Sequence, residues 1–415
     1  MASIPRAPLT PLAEALARLL SAATPLPGEQ VPVLKADGRV LAEPVVSALQ
    51  VPPADCSAMD GYALRCADLT GAGQRLPVSQ RIPAGAPAQP LQAGTLARIF
   101  TGATLPPGAD AIVMQEDCVV PAAASDGALP QVQVNTVPRP GQWIRRAGED
   151  VGFGAEVLSP GVRMGPAHLG LAASVGRAAL RVVRRPRVAL FSTGDELVMP
   201  GEIAPEQMRP GAIYNSNRFF LAALLHRLGC EVTDLGIVPD QRDATVRALA
   251  DAANSHDLIL TSGGVSVGEE DHIKPAVQSL GTLDLWQIAI KPGKPFAFGR
   301  IANCHFMGLP GNPVSSFVTF LLLVRPFLLR LQGLALTDLP ALQLPAHFDW
   351  PRPDKRQEFL RVRRNAAGGL DLFPNQSSGV LTSTVWADGL VDNPPGQAIR
   401  AGDVVRYIPL SEYLA

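Results

Sequence analysis

Fourteen residues carry the clearest signal in this chain: Leu258-Ile259-Leu260-Thr261-Ser262-Gly263-Gly264-Val265-Ser266-Val267-Gly268-Glu269-Glu270-Asp271. An apolar β-prone run breaks into a loop with three glycines and ends in three carboxylates. Glycine lets backbone N–H groups come close to a ligand, and Mg²⁺ prefers carboxylate oxygens beside substrate phosphates. The loop has neither the lysine of a P-loop nor the spacing of a dinucleotide-binding loop. It predicts a phosphorylated ligand beside a divalent cation, with an ordinary strand-to-helix turn as the alternative.

On both sides of this loop, residues 188–331 alternate between strand-like and helix-like segments. Such alternation predicts a mainly parallel sheet covered by helices on both faces. Ligands of these sheets bind at the carboxyl ends of the strands, where the glycine-rich loops fall. The predicted strands are Val188–Phe191, one starting at Cys230, one at Leu258, Phe296–Phe298 and Cys304–Met307. The predicted helices are capped by Asn215 or Ser216, by Asp240 and by Asn312, and another follows Asp271.

The rest of the chain has a different character. Short β-prone pieces separated by Gly/Pro turns predict a β-rich domain over residues 54–149. Thr10 and Pro11 predict the start of an N-terminal helix, as its N-cap and its first residue. The Pro-rich stretch Leu334–Pro353 predicts a linker, followed by a C-terminal all-β module. At 415 residues, two to four domains are expected.

Composition excludes several classes of protein. With 36 basic and 37 acidic residues, the chain has no general attraction for nucleic acid or an anionic membrane. Five scattered cysteines without a C-x-x-C pair argue against a disulfide framework or a zinc ribbon, and favour a reducing cytosol. Glu14 and Arg18 interrupt what would be the apolar core of a signal peptide. The apolar run Val318–Val324 stops at Arg325, so no membrane span is expected.

Five further motifs carry groups suited to chemistry. Asp60 stands before glycine in a turn, Thr101 follows a strand, and Ser192–Glu196 repeats the theme of hydroxyls, glycine and carboxylates. For each of these three motifs, the alternative is an ordinary turn without a role in chemistry. Lys291-Pro292-Gly293-Lys294-Pro295 places two ammonium groups in a stiff loop suited to an oxyanion, unless these lysines are merely solvated. Gly308–Ser316 then supplies the N-terminus of a helix, which favours anions. Together they predict metal-assisted group transfer or phosphoanhydride hydrolysis.

At these residues the chain resembles the molybdopterin molybdenumtransferases, the MoeA family, which includes the E domain of gephyrin. The resemblance runs nearly end to end, with the motifs in family order. They are SAMDGYA (57–63), RIFTGATLPPGADAIVMQED (98–117), GEDVGFGAEVL (148–158), STGDEL (192–197), IYNSN (213–217), LTSGGVSVGEEDHIK (260–274), IAIKPGKPFAFG (288–299) and GLPGNPVSSFVTF (308–320).

The resemblance implies a cytoplasmic enzyme that inserts molybdate into adenylylated molybdopterin with Mg²⁺, releasing AMP and molybdenum cofactor. It implies an elongated homodimer whose cleft lies between the β/α domain of one subunit and the β-rich domain of the other. Molybdopterin adenylyltransferase and molybdoenzyme maturation proteins would be further partners. The implied domains are 1–53 with 150–180 (elongated N-terminal), 54–149 (β-rich), 181–333 (molybdopterin-binding β/α) and 334–415 (C-terminal β, barrel-like).

Site residues follow from the same resemblance. Lys291 and Lys294 would hold phosphate or molybdate, and Asp271 and Glu196 would lie at the metal. Asp150 is a further acidic candidate. Positions associated with activity are Asp60, Thr101, Glu196, Asp240 and Asp271. Substrate-contacting positions are Thr261, Ser262, Gly263, Gly264, Val265, Ser266, Gly268, Pro310, Gly311, Asn312 and Pro313.

The C-terminal segment departs from the family pattern. Many relatives carry glycine and histidine where this chain has Asn375 and Gly379. The resemblance therefore gives Ser377 and Ser378 only as candidate substrate contacts. Arg361 is a basic candidate of the same standing. Two other functions stay open. A molybdopterin adenylyltransferase would share the glycine-rich loop, although the regions outside 181–333 argue against it. A scaffold without catalytic activity would keep the fold, although the retained acids and lysines argue against that.

Overall fold

The computed structural model describes residues 9–120, 130–239, 241–264, 273–335 and 340–414. The predicted fold class is confirmed: a multidomain α/β chain with a mainly parallel central sheet, a β-rich region and a C-terminal β module. Its helices are α1 Leu12–Ala22, α2 Pro166–Ser174, α3 Asn217–Arg227, α4 Arg242–Ala253, α5 Ile273–Leu280, α6 Pro313–Thr319, α7 Arg325–Leu331, α8 Thr382–Trp386 and α9 Leu410–Leu414.

The first half of the described chain is built from short strands. Strands distant in sequence pair here, since β1 pairs with β12 and β2 pairs with β11, both antiparallel. Between these pairs lies a six-stranded sheet of order β7-β4-β6-β5-β9-β8. The strands are β1 Gly28–Pro32, β2 Val45–Val46, β3 Cys56–Ser57, β4 Gly61–Leu64, β5 Gln74–Ile82, β6 Leu96–Ile99, β7 Ala111–Met114, β8 Cys118–Val119, β9 Gln131–Val134, β10 Ile144–Arg145, β11 Glu156–Leu158 and β12 Ala179–Val183.

The central sheet has the order β16-β13-β17-β21-β20-β18. The first four strands are parallel, and β20 and β18 are antiparallel to their neighbours. Its strands β13 and β17 are almost entirely buried, as expected where helices cover both faces. The strands in this part of the chain are β13 Arg187–Ser192, β14 Leu197–Val198, β15 Ile213–Tyr214, β16 Glu231–Ile237, β17 Leu258–Ser262, β18 Gly281–Gln287, β19 Ile290–Lys291, β20 Pro295–Ile301 and β21 Cys304–Leu309.

The helical run Pro313–Leu331 forms the centre of the largest apolar core. By length and composition it could cross a membrane, but 78% of its apolar window is buried inside the protein. The run joins α6 to α7 through a π-helical segment, Phe320–Val324. Pro326, which lacks an N–H and crowds the preceding turn, follows directly after this widened turn. The run packs against α1, whose Ala15 and Leu19 belong to the same core.

The C-terminal module is a sheet of order β19-β23-β25-β26-β22, with β24 paired to β23. Its edge strand β19 comes from the central region of the chain and runs parallel to β23. The prediction that Leu334–Pro353 is only a linker is wrong for its middle, because β22 lies there and pairs with β26. The strands are β22 Leu342–Pro345, β23 Gln357–Arg364, β24 Leu370–Leu372, β25 Gly389–Asn393 and β26 Val404–Pro409.

Two predicted helix starts need correction. Helix α1 begins at Leu12, with Pro11 in the N-cap position. Thr10 does not cap it, because its backbone is extended and its N–H donates to the carbonyl of Gln287. At α3 the N-cap position is Ser216, which makes no side-chain capping hydrogen bond, and the side chain of Asn215 one residue earlier accepts a hydrogen bond from the N–H of Arg218. Asp240, predicted to cap α4, lies outside the described residues.

Candidate active site

A cleft of about 700 Å³ lies at the carboxyl ends of β13, β17 and β21, within the size range of small-molecule sites. Its position is the one predicted for a parallel sheet of this kind. Loops that follow three neighbouring strands meet there, together with the start of α3 and one segment of the C-terminal module. The lining residues are Thr193, Glu196, Leu197, Ile213, Tyr214, Asn215, Ser216, Asn217, Ser262, Gly263, Pro295, Pro310, Gly311, Asn312, Pro313, Ser315, Gly379 and Leu381.

Gly263 occupies the point where the loops after β13 and β17 touch. Its φ is +96°, and a Cβ atom there would lie 2.8 Å from the carbonyl oxygen of Thr193. Both the backbone angle and the crowding exclude a larger residue. The N–H of Gly263 donates to the carbonyl of Leu309 at 3.1 Å, which joins the loop to β21. This glycine is therefore required by the close packing of the three loops.

Asn217 holds the cleft together from the first turn of α3. Its side-chain Nδ2 donates to Ser262 Oγ and to the carbonyl of Gly311, both at 2.7 Å. The residue is buried, so it fixes the ends of β17 and β21 relative to α3. Asn217 belongs to the motif IYNSN (213–217), but the sequence alone predicts no role for this residue. The available signal was an asparagine directly after a residue predicted to cap a helix.

Buried polar atoms without a partner in the protein are concentrated around the cleft. In the described part of the chain, four buried side-chain nitrogen or oxygen atoms without a hydrogen-bond partner in the protein lie at the strand ends and helix starts that border the cleft. Such atoms are costly to bury, at about 1–3 kcal/mol each, unless something binds them. The four atoms are Ser192 Oγ, Asn215 Nδ2, Thr261 Oγ1 and Ser316 Oγ.

The N-terminus of the helical run Pro313–Leu331 faces the same space. Asn312 occupies the N-cap position and Ser315 lies in the first turn, and both line the cleft. The N–H of Val314 donates to the carbonyl of Ser378 in the C-terminal module, at 3.0 Å. A helix of this length carries partial positive charge at its start, which favours phosphate and other anions.

Glu196 is the acidic residue that lines the cleft among those described. Gly194 leaves room for its carboxylate, because a Cβ atom at that glycine would lie 2.6 Å from Glu196 Oε2. The described residues contain no group of three or more His, Cys, Asp or Glu side chains arranged to hold a metal ion by themselves. Mg²⁺ is commonly bound by one or two carboxylates together with substrate phosphates, so a single carboxylate beside an anion-binding helix start fits that ion. The other predicted ligand, Asp271, lies outside the described residues.

The two lysines of the Lys291–Pro295 loop have different surroundings. Lys291 Nζ lies 3.1 Å from Glu358 Oε1 and 3.6 Å from Asp354 Oδ2, both in the C-terminal module. Lys294 is half-buried and forms no ion pair with any described residue. Its neighbour Pro295 lines the cleft. That both lysines hold an oxyanion stays a prediction.

Arg361 is a buried cation without a carboxylate partner among the described residues. Its guanidinium donates to Ser383 Oγ and to the carbonyls of Phe359 and Ser377, at 3.0 to 3.4 Å. Burial lowers the pKa of Arg361 to about 10. The guanidinium thus lies beside the segment that reaches the cleft through Gly379, and it is suited to an anion.

Asp60 and Thr101, predicted from separate motifs, are brought together. Asp60 Oδ1 accepts hydrogen bonds from the backbone N–H and from Oγ1 of Thr101, both at 2.8 Å. These bonds hold the pKa of Asp60 below its ordinary value. No residue from the β-rich region 54–149 lines the cleft of the described chain. Asp150 is exposed and likewise does not line it.

Family comparisons cover nearly the whole chain. Residues 10–176 match the MoeA N-terminal region (domain I and II), residues 189–330 a probable molybdopterin binding domain, and residues 343–410 the MoeA C-terminal region (domain IV). A molybdopterin molybdenumtransferase of Haemophilus influenzae is 44% identical over 310 residues, which are 74% of each chain. The chain belongs to the MoeA family.

Other MoeA-family relatives match along greater lengths. Molybdopterin molybdenumtransferase 2 of Mycobacterium tuberculosis is 38% identical over 91% of this chain and 93% of its own. The solved structure of the molybdopterin biosynthesis MoeA protein from Pyrococcus horikoshii superimposes with a TM-score of 0.81, at 29% identity, over 97% of this chain and all of that one. The resemblance read from the motifs is therefore confirmed. Of the predicted site residues, Asp240, Val265, Ser266, Gly268 and Asp271 lie outside the described residues.

Proposed function

We propose that this MoeA-family chain acts as a molybdopterin molybdenumtransferase. It inserts molybdate into adenylylated molybdopterin with Mg²⁺ and releases AMP. The observation that supports this most is the cleft itself, which is lined by a helix N-terminus and by Asn215 with its unpartnered Nδ2, while three unpartnered hydroxyls lie in the elements that border it. Its volume of about 700 Å³ suits a nucleotide-sized ligand. The matches on both sides of the molybdopterin-binding region favour this activity over that of an adenylyltransferase.

In this proposal, each part of the site has its own role in the reaction. The start of the helical run Pro313–Leu331 binds phosphate oxygens through its dipole and backbone. Lys294 holds molybdate by its unpaired ammonium group, and Asn217 keeps the loops after β17 and β21 in place. Glu196 would hold Mg²⁺ together with Asp271, the other predicted ligand. When bound, that ion would polarise the phosphoanhydride of the adenylylated pterin and neutralise charge on the departing AMP.

We further propose that the working form is a homodimer in the cytoplasm. Asp60 and Thr101 form a pair on the β-rich region, but that region does not line the cleft of its own chain. A second copy would bring the pair to the cleft. The five cysteines are all free, which agrees with a reducing compartment. Mixed dimers of Asp60→Asn and Lys294→Ala chains should regain up to about a quarter of wild-type activity, since random pairing gives half heterodimers, each with one intact cleft. No recovery in mixed dimers would contradict a shared cleft.

The test is AMP release from adenylylated molybdopterin, measured with and without molybdate in the presence of Mg²⁺. We expect molybdate-dependent release, with molybdenum retained on the pterin. Lys294→Ala should reduce the rate about 100-fold because it removes the unpaired ammonium group. Lys355→Ala, which removes an exposed lysine of the C-terminal module, serves as the matched control. Adenylylation of free molybdopterin by ATP would instead establish an adenylyltransferase, and binding without release would establish a scaffold.

A further inference from the structure

The C-terminal sheet is completed by two residues that directly precede the proline-rich lysine loop. Strand β19 pairs in parallel with β23, with Ile290 opposite Gln357 and Lys291 opposite Glu358. The N–H of Gln357 also donates to the carbonyl of Ala289 at 2.9 Å. The loop contains Lys294, and its Pro295 lines the cleft. Its backbone is thus hydrogen-bonded to the C-terminal module. Any shift of that module would move the loop.

At this junction Glu358 is a fully buried carboxylate with several donors. Its Oε1 accepts from Lys291 Nζ at 3.1 Å, and its Oε2 accepts from Trp350 Nε1 at 2.8 Å. The N–H of Asp354 and Nδ2 of Asn393 also donate to Oε2, at 3.1 and 3.5 Å. A buried charge with this many donors has one fixed position, because each alternative would leave it unpaired.

The surroundings of Lys291 are electrically balanced. Asp354 lies near the lysine and also accepts two hydrogen bonds from the guanidinium of Arg356, at 2.7 and 2.8 Å. Two carboxylates therefore face two cations. The ammonium group of Lys291 also lies 5.8 Å from the centre of the Trp350 ring. An ammonium group so neutralised attracts an oxyanion less than an unpaired one does.

Two cations without a carboxylate partner lie in the segments that follow this junction, one in each segment. Lys294 comes three residues after Lys291, and Arg361 comes three residues after Glu358 on β23. Neither forms an ion pair with a described carboxylate. The ion pair between Lys291 and Glu358 joins the two segments that carry them, so it sets the spacing between these two cations.

We propose that Glu358 is a positioning residue for the oxyanion substrate: through its ion pair with Lys291 it fixes the C-terminal module against the lysine loop, whose Pro295 lines the cleft. The inference rests on the proposed function. In it, Lys291 serves as a structural cation of the junction, and the two lysines of the loop have separate roles.

The experiment compares Glu358→Gln, Lys291→Met and the double variant in molybdate-dependent AMP release. Each single change breaks the ion pair, and Lys291→Met also leaves the buried Glu358 without its counter-charge. We expect the KM for molybdate to rise about tenfold with little change in kcat. The double variant replaces the ion pair by a neutral pair of similar size. Its KM for molybdate should be within about threefold of the wild-type value. Arg364→Met, which breaks an ion pair at the other end of β23, should keep the wild-type KM.

Two results would overturn the proposal. An unchanged KM in Glu358→Gln would show that the junction does not position the site. A double variant as impaired as Lys291→Met would show that Lys291 contacts the oxyanion directly. If Glu358→Gln does not fold, Asp354→Asn removes the second carboxylate near Lys291 and should raise the KM about two- to threefold; no rise would count against the proposal. If wild-type protein shows no molybdate-dependent release, the proposed function itself has failed, and molybdate binding by calorimetry then decides the positioning role.

Discussion

His305, a buried histidine of the central sheet, should make this region less stable in mild acid. The residue lies on β21 and is 9% exposed. Its ring stacks on Phe298 and meets the edge of Phe327, with ring centres 6.1 and 4.9 Å apart. Burial lowers the pKa of His305 to about 4, the charge of Arg300 lowers it further, and Asp257 opposes this shift. The imidazole is therefore neutral in the folded protein at pH values where it is charged in the unfolded chain.

The sign and size of the effect follow from proton binding. Between the ordinary pKa of 6.5 and the folded value of about 4, the unfolded chain binds a proton that the folded protein does not. Stability therefore falls as the pH falls through this window, and the loss is complete below the folded value. At 1.36 kcal/mol per pKa unit, we expect about 2 kcal/mol to be lost between pH 7 and pH 5.

The assay is native-state hydrogen exchange of peptides that cover β17 and β21, corrected for the intrinsic exchange rate at each pH. His305→Phe keeps an aromatic ring between Phe298 and Phe327 but cannot titrate. The variant should lose about 2 kcal/mol less than wild type between pH 7 and pH 5. His226→Gln changes an exposed histidine of α3 and should follow wild type. Equal pH dependence in His305→Phe and wild type would refute the assignment.

Three further predictions concern backbone conformation and a buried ion pair. Gly263→Ala should lower the rate of AMP release about 100-fold, since the new Cβ meets Thr193 and displaces the loop; Gly368→Ala, where φ is also positive but no atom is near, should keep the rate, and equal losses would point to stability alone. Ala302→Asn should stabilise the protein by about 1 kcal/mol in thermal unfolding, because φ at this turn is +50°; no gain would show that the strain is relieved elsewhere. Asp257→Asn should destabilise by about 3 kcal/mol in denaturant titration, since Arg184 loses its counter-charge and one of two hydrogen bonds of 2.6 and 2.7 Å; the exposed pair of Arg18 and Glu14 gives the control, because Glu14→Gln should cost less than about 1 kcal/mol.

The central sheet could be predicted because its signals are local. Buried parallel strands read as continuous apolar runs, and glycine or asparagine marks the helix ends between them. The predicted strands over Val188–Phe191, Phe296–Phe298 and Cys304–Met307 lie within β13, β20 and β21. The site followed from the fold, because loops at the carboxyl ends of parallel strands converge. Thr193, Gly263 and Pro310 indeed line one cleft.

Sequence patterns gave little information where pairing partners are far apart. The sequence predicts a linker where the short strand β22 lies, because four residues beside several prolines carry no clear period of their own. Its partner β26 lies about sixty residues later and supplies the missing hydrogen bonds. The same limit hid the surroundings of Lys291, since nothing in the local sequence indicates a carboxylate 67 residues away. Charge alone suggested two equivalent lysines.

That pairing changes how the C-terminal module relates to the chemistry. A module joined only by a linker could drift without affecting a cleft on the central sheet. Here β19 supplies its edge strand, and the N–H of Val314 in the anion-binding helix donates to the carbonyl of Ser378. Two connections, one to the lysine loop and one to the helix start, hold the C-terminal module next to the cleft. A cut between residues 334 and 353 that leaves both connections in place should therefore preserve molybdate-dependent release in the nicked protein. Removing residues 354–415 should abolish it, since Val314 loses its contact with Ser378 and Lys291 loses Glu358.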